Sequence, residues 1–280
     1  MSLEPLARSG DTERELEDSR VRLRARGRVF LVGAGPGDPE LLTMRAFRLL
    51  SSARIVAYDE LVSPAVLALA PPGAELVPVG RRRGTCPEAP AIHPVVLERA
   101  IEGHDVVRLK GGDPMIFGRG GEEAEQLAAL RIPFEIVPGV SAALGAAASA
   151  GIPLTHRDAS SSVSFVTAHK RHDDETDDLA ARVPREGTVV LYMGLSTLRD
   201  TARELIAGGR PSSTPVAVVS HATLATQREV IATLATIADA VEAANVEAPA
   251  LVIVGEVVAR RVQSHASTPA RSEARRLRAT

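Results

Sequence analysis

Six short stretches of this 280-residue chain combine residue types that could do chemistry. Gly33-Ala34-Gly35-Pro36-Gly37-Asp38 and Gly111-Gly112-Asp113-Pro114 set glycines, which let backbone amides and carbonyls come close to a ligand, beside a carboxylate. Gly118-Arg119-Gly120-Gly121-Glu122-Glu123 places one long cationic side chain among glycines that leave room around it. Asp59, the run Arg81-Arg82-Arg83 and the triplet His156-Arg157-Asp158 supply a candidate base and fixed positive charge. Each has a plainer reading: a turn for Gly111–Pro114, a loop cap for Asp59, solvated surface for the arginine run, and a capping or salt-bridge cluster for the triplet.

A dinucleotide fingerprint needs a third glycine where Asp38 stands, and an anion there would repel a pyrophosphate. That weakens a nicotinamide reading, although Asp59 sits where a Rossmann fold keeps its ribose-binding carboxylate. Asp38 followed by Pro39 predicts a helix N-cap with proline at the first helical position.

These residues must be positioned by regular elements. Nine β-branched runs alternate with Ala/Leu/Glu-rich stretches of helical period: RVFLVG, RIVAYD, AELVPVG, DVVRLK, PFEIVPG, SVSFVTA, TVVLYMG, PVAVVS and ALVIVGE. The alternation predicts an α/β fold with mostly parallel sheets, and nine strands predict more than one sheet. A break is expected in the Ala/Gly/Ser-rich stretch 138–155, giving two α/β lobes at 28–140 and 141–260. Residues 1–27 and the basic 261–280 read as tails, the first too poor in apolar residues to offset its ordering entropy. Nearly every strand ends in glycines or polar residues, and in open α/β sheets ligands bind outside the carboxyl ends of the strands.

Composition narrows the partners. Hydrophobic residues make up 45% and charged residues 24%, ordinary globular usage, and the formal charge is only -2, which argues against a nucleic-acid surface. Aromatics are 2% with no Trp, so a base-stacking platform is not supplied. The single cysteine, Cys86, cannot form an internal disulfide, no apolar run is long enough to span a membrane, and the polar start lacks a secretory core. A cytoplasmic protein acting on a small molecule is expected. Only Lys110 and Lys170 are lysines; every other basic residue is arginine.

The motifs together resemble the tetrapyrrole methylases, a family distinct from the Rossmann-fold methyltransferases. The resemblance is carried by GAGPGDPELLT, by VRLKGGDPMIFGRGGEE from Val107 to Glu123, by VPGVSAA from Val137 to Ala143 and by GIPLTHRD from Gly151 to Asp158. The last three narrow it to the branch that C-methylates uroporphyrinogen III at C2 and C7, giving precorrin-2 by way of precorrin-1. Alternatives are another corrin-ring methylase or a non-enzymatic tetrapyrrole-binding protein. The pattern is similar to the single-function form, without a dehydrogenase or chelatase domain ahead of it. The resemblance implies two α/β lobes with the active-site cleft between them, a homodimer, S-adenosyl-L-methionine as methyl donor and no metal. It assigns cofactor contacts to Pro36, Gly111, Gly112, Asp113, Ile116, Ser141, Ala142, Met193 and Ala222. It assigns substrate contacts to Arg119, Glu122 and His156, and catalytic roles to Asp59 as proton acceptor, Arg119 and Arg81. The substrate's many carboxylates suit the planar fork of arginine. One departure stands out: Arg81 replaces the family's lysine proton donor, and a guanidinium cannot release a proton near neutral pH.

Overall fold

The computed structural model of the chain describes residues 26–80, 91–168 and 179–262. Arg81 and nearly all of the two expected tails lie outside the described residues. Four residues of the expected tails, 26, 27, 261 and 262, are described. The Gly27 amide donates to Ala100 O at 2.9 Å, and Val262 N donates to Gly151 O at 2.9 Å. The chain divides into two compact units, one holding residues up to Ala146 together with Ser220–Arg228, the other Ala147–Val219 and the chain from Glu229 on.

The first unit is built on a parallel sheet of order β3-β2-β4-β1-β5, with β1 Val29–Gly33, β2 Ile55–Tyr58, β3 Glu75–Pro78, β4 Val106–Lys110 and β5 Phe134–Val137. Both faces are apolar, and the side-chain period of two divides them. Phe30, Val32, Val56, Val107 and Leu109 pack with Ala46 and Leu50 of α1 (Met44–Ser51) and Val66 of α2 (Pro64–Leu67). Val29, Leu31, Ile55, Ala57 and Val106 pack with Val96 and Ala100 of α3 (Pro94–Ile101) and Leu127 of α4 (Gly120–Ala129). Right-handed crossovers explain the division. The chain moves one way along the sheet through α1 and α2 and the opposite way through α3 and α4. The connections that leave the adjacent strands β1 and β4 therefore go to opposite faces of the sheet, the switch point outside which open α/β sheets bind ligands.

Asp38 caps as expected, its Oδ1 accepting the Glu40 amide at 3.0 Å. The element it caps is only a three-residue 3-10 turn, Pro39–Leu41, and the α-helix starts at Met44 under a second cap, Thr43.

The second unit holds a five-stranded sheet of order β6-β7-β10-β8-β9: β6 Val163–Thr167, β7 Thr188–Tyr192, β8 Pro215–Ser220, β9 Arg228–Thr233 and β10 Ala250–Val254. It is mixed where a mostly parallel sheet is expected, because β7 and β10 run antiparallel. Val189, Leu191, Val216, Val218, Val252 and Val254 form its core with Leu198, Ala202 and Leu205 of α7 (Leu198–Ala207) and Ile237 and Val241 of α8 (Ile237–Ala243). Among the described residues the remaining α-helices are α5, Ala142–Ser149, and α6, Leu179–Arg182, and a 3-10 helix spans Glu256–Arg260. Strand β9 was not among the nine expected runs.

Candidate active site

In the first unit, loops from four strands meet at the carboxyl edge of the sheet. The β1 and β4 loops clasp one another: Gly35 N donates to Gly112 O at 3.1 Å and Gly112 N to Gly35 O at 2.8 Å. The β5 loop lies so close that a Cβ on Gly139 would fall 2.3 Å from Gly112 O, and one on Gly33 would fall 2.5 Å from Gly139 N. Gly112, at φ +67°, sits against Ser141 and Ala142, and Pro36 packs on Gly145 so tightly that a side chain there would collide with its ring. The loop after β8 closes the group. Thr223 Oγ1 accepts the Asp38 amide at 3.2 Å, and Leu224 crowds Gly37. Pro36, Gly111, Gly112, Asp113, Ser141, Ala142 and Ala222 therefore belong to one assembly of loops.

Backbone strain concentrates in the same kind of place. Seven described non-glycine residues have positive φ; Arg131 and Asn245 simply end α4 and α8, while Phe117, Arg119, Met193, His221 and Thr223 all lie in loops after strands. A β-branched threonine at φ +68° is a genuine outlier, of the kind held in place at functional sites by surrounding structure.

Two site residues do something other than their sequence context suggests. Asp113 Oδ1 accepts the Met115 amide at 2.8 Å and Oδ2 accepts the Gly139 amide at 3.0 Å, so the carboxylate ties the β4 loop to the β5 loop. Each oxygen keeps a second lone pair for a ligand. Around Arg119, Gly118 and Gly120 do not serve to leave space: a Cβ on either would fall 2.9 and 2.4 Å from Pro114 O, and only Gly121 faces open space. Arg119 itself is half exposed, its Nε 3.5 Å from Glu122 Oε1.

Asp59, on the loop after β2, accepts Arg108 Nη2 at 2.5 Å. Arg108 also donates to Glu123 Oε1, through Nη2 at 3.1 Å and Nε at 3.3 Å, and Lys110 Nζ donates to the same oxygen at 2.9 Å. Lys110 Nζ is 3.9 Å from Asp59 Oδ2. Arg108, Lys110 and Glu123 are all buried, whereas the Asp59 side chain is 26% exposed. Burial pushes the Lys110 ammonium below the ordinary lysine range, and the neighbouring Arg108 adds to the effect against the opposing pull of Glu123 and Asp59. This cluster was missed in the sequence, although two cations at alternate positions of a buried strand are an anomaly that marks it.

In the second unit, Met193 stands half exposed at the end of β7. His156 lies in a tight turn where its Nδ1 accepts the Asp158 amide at 3.1 Å, which agrees with the capping reading of that triplet.

The sequence profile of the tetrapyrrole (corrin/porphyrin) methylases matches residues 28–238. The chain belongs to this family. Among related tetrapyrrole methylase sequences, siroheme synthase 2 of Halorhodospira halophila is 49% identical over 245 residues, 87% of this chain and 49% of that protein. Siroheme synthase of Ectopseudomonas mendocina is 51% identical over 240 residues, 85% of this chain and 52% of that one. The chain thus spans about half the length of the curated relatives it matches. Among solved structures, uroporphyrin-III C-methyl transferase from Thermus thermophilus, complexed with S-adenyl homocysteine, superposes with a TM-score of 0.72 at 44% identity. That match covers 84% of this chain and 100% of the other. A cobalt precorrin-4 methyltransferase gives 0.73 at 30% identity, covering 85% and 97%. The tetrapyrrole methylase fold is thereby shared in full. Among the described residues no helix is long and apolar enough to cross a membrane.

Proposed function

We propose that this protein transfers methyl groups from S-adenosyl-L-methionine to ring carbons of uroporphyrinogen III, at C2 and C7, to give precorrin-2. What carries the reading is the 44% identity to a uroporphyrin-III C-methyl transferase that this chain covers from end to end. The strand-end loops suit the cofactor. Close-packed glycine backbone, the Asp113 carboxylate and the exposed apolar side chains of Leu61 and Met115 offer polar contacts beside an apolar surface, as an adenosine with a sulfonium arm requires. Bound there, the cofactor would supply an electrophilic methyl group.

Within this reading, Pro36, Gly111, Gly112, Asp113, Ile116, Ser141, Ala142 and Ala222 hold the cofactor, while Arg119 and Glu122 meet the polycarboxylate substrate. Holding both reactants in one orientation lowers the entropic part of the barrier. The methylated macrocycle carries one extra positive charge until a ring proton leaves, and Asp59, partly exposed at a strand end, accepts that proton. Arg81 contributes positive charge only. The roles assigned to Met193 and His156 and assembly as a homodimer rest on the family resemblance, and action in the cytoplasm rests on the composition of the chain.

The test is an assay with enzymatically generated uroporphyrinogen III and S-adenosylmethionine, followed by mass spectrometry. Gain of two methyl groups is expected, and Arg119→Lys should lower kcat/KM by roughly 10- to 100-fold, because a two-point charged contact becomes a single one. Tight tetrapyrrole binding without methyl transfer would instead identify a carrier.

A further inference from the structure

The buried cluster behind Asp59 contains two cations and two carboxylates, and its connectivity is lopsided. Glu123 Oε1 receives three donors, from Arg108 Nε, Arg108 Nη2 and Lys110 Nζ. Its other oxygen, Oε2, is buried and has no hydrogen-bond partner among the described residues. A carboxylate placed only to satisfy an ion pair would spread its bonds over both oxygens, and a buried unsatisfied oxygen is costly. Asp59, the one member reached by solvent, has among the described residues a single close donor, Arg108 Nη2, and a distant one, Lys110 Nζ.

We propose that Glu123 is a positioning residue for proton removal: it draws the positive charge of Arg108 and Lys110 onto itself and so leaves Asp59 able to accept a proton. The inference rests on the proposed methyl transfer for its purpose, and on geometry for its content. An opposite charge within about 4–6 Å favours the ionised form of a carboxylate. With Glu123 neutral, two cations would act on Asp59 alone and hold it ionised. With Lys110 neutral, two carboxylates would share one cation, and Asp59 would take a proton more readily. Among the described residues, the other charged groups nearby do not alter these signs. Glu60, the next residue, is exposed and lies against Gly80 past β3, and Arg119 and Glu122, at the start of α4, pair with each other. Arg81–Arg83 lie outside the described residues.

The experiment uses the full chain with ¹³C-carboxyl-labelled aspartate, titrated by NMR, with the Asp59 signal assigned by its absence in Asp59→Asn. In Glu123→Gln the Asp59 titration should move to lower pH by about one unit or more, in Lys110→Met to higher pH by a similar amount, and in the double variant it should return toward wild type. The pH profile of kcat/KM should shift in parallel on its acidic side. Unmoved Asp59 titrations in folded single variants, or shifts of the same sign in both, would overturn the inference. Should Lys110→Met fail to fold, the nearly isosteric Glu123→Gln carries the test alone. If the Asp59 titration moves as expected while the activity profile stays fixed, the charge-balancing role stands and the assignment of Asp59 as proton acceptor falls.

Discussion

Each unit buries an arginine, and the two are held differently. Arg210, in the second unit, gives its donors to main-chain carbonyls: Nε and Nη2 to Pro184 O at 3.2 and 2.5 Å, Nη1 and Nη2 to Gly187 O at 3.3 and 3.2 Å, and Nη2 to Glu186 O at 3.4 Å. None of these partners can change its charge, so Arg210 is held as a staple, with burial alone pushing its guanidinium below the ordinary arginine range. Arg108, in the first unit, binds two carboxylates and one carbonyl, Leu109 O at 3.1 Å. Its surroundings can take up protons. Burial of a cation in this fold is therefore compatible with either a fixed joint or a responsive one, and the partner's chemistry decides which.

The sharpest way to break the comparison is to remove each arginine. Arg108→Met leaves two carboxylates on one lysine and should cost about 3–5 kcal/mol, the range for an uncompensated buried charge. Arg210→Met should cost about 3 kcal/mol by orphaning carbonyls. Urea unfolding of both variants would decide between them, and a smaller loss at Arg108 than at Arg210 would overturn the distinction. A smaller effect is expected at the loop clasp, where Asp113→Asn loses an acceptor for the Gly139 amide. S-adenosylhomocysteine binding, measured by calorimetry, should weaken by roughly 1–3 kcal/mol, and unchanged affinity would remove Asp113 from the cofactor site. The smallest concerns Lys110. Its proton is bound more weakly in the folded chain than in the unfolded one, so the unfolded chain holds more protons between the lowered midpoint and the ordinary value of 10.5. Wild type should gain stability relative to Lys110→Met as pH rises through that window. A flat difference from pH 7 to 10.5 would refute the shift.

Much of this was legible in the chain. All nine runs chosen for β-branched content contain strands, and those buried almost throughout, β1, β4, β7, β8 and β10, stand out as apolar from the helices between them. Arg228–Thr233 did not stand out: it is an edge strand whose residues are mostly half-buried, and it carries charge and little turn chemistry at its ends. The loops at strand ends were readable from their glycines, yet the reason for those glycines was not, since the approach of Gly139 to Gly112 depends on strands that pair far apart in sequence. The charge cluster was within reach. Ile55-Val56-Ala57-Tyr58-Asp59 and Val106-Val107-Arg108-Leu109-Lys110 alternate in step, so Asp59, Arg108 and Lys110 share a face once β2 and β4 are neighbours. Only the neighbourhood was missing, and strand order is not written in either segment.

The loop after β8 carries one further implication. Thr223 completes the β1 loop, yet it is synthesised long after the rest of the first unit's sheet has emerged. At ordinary elongation rates the nascent chain spends seconds with the Asp38 amide lacking this hydroxyl. The β1 loop is therefore completed late in the life of the polypeptide, after translation has passed residue 223, however early the parallel sheet has formed.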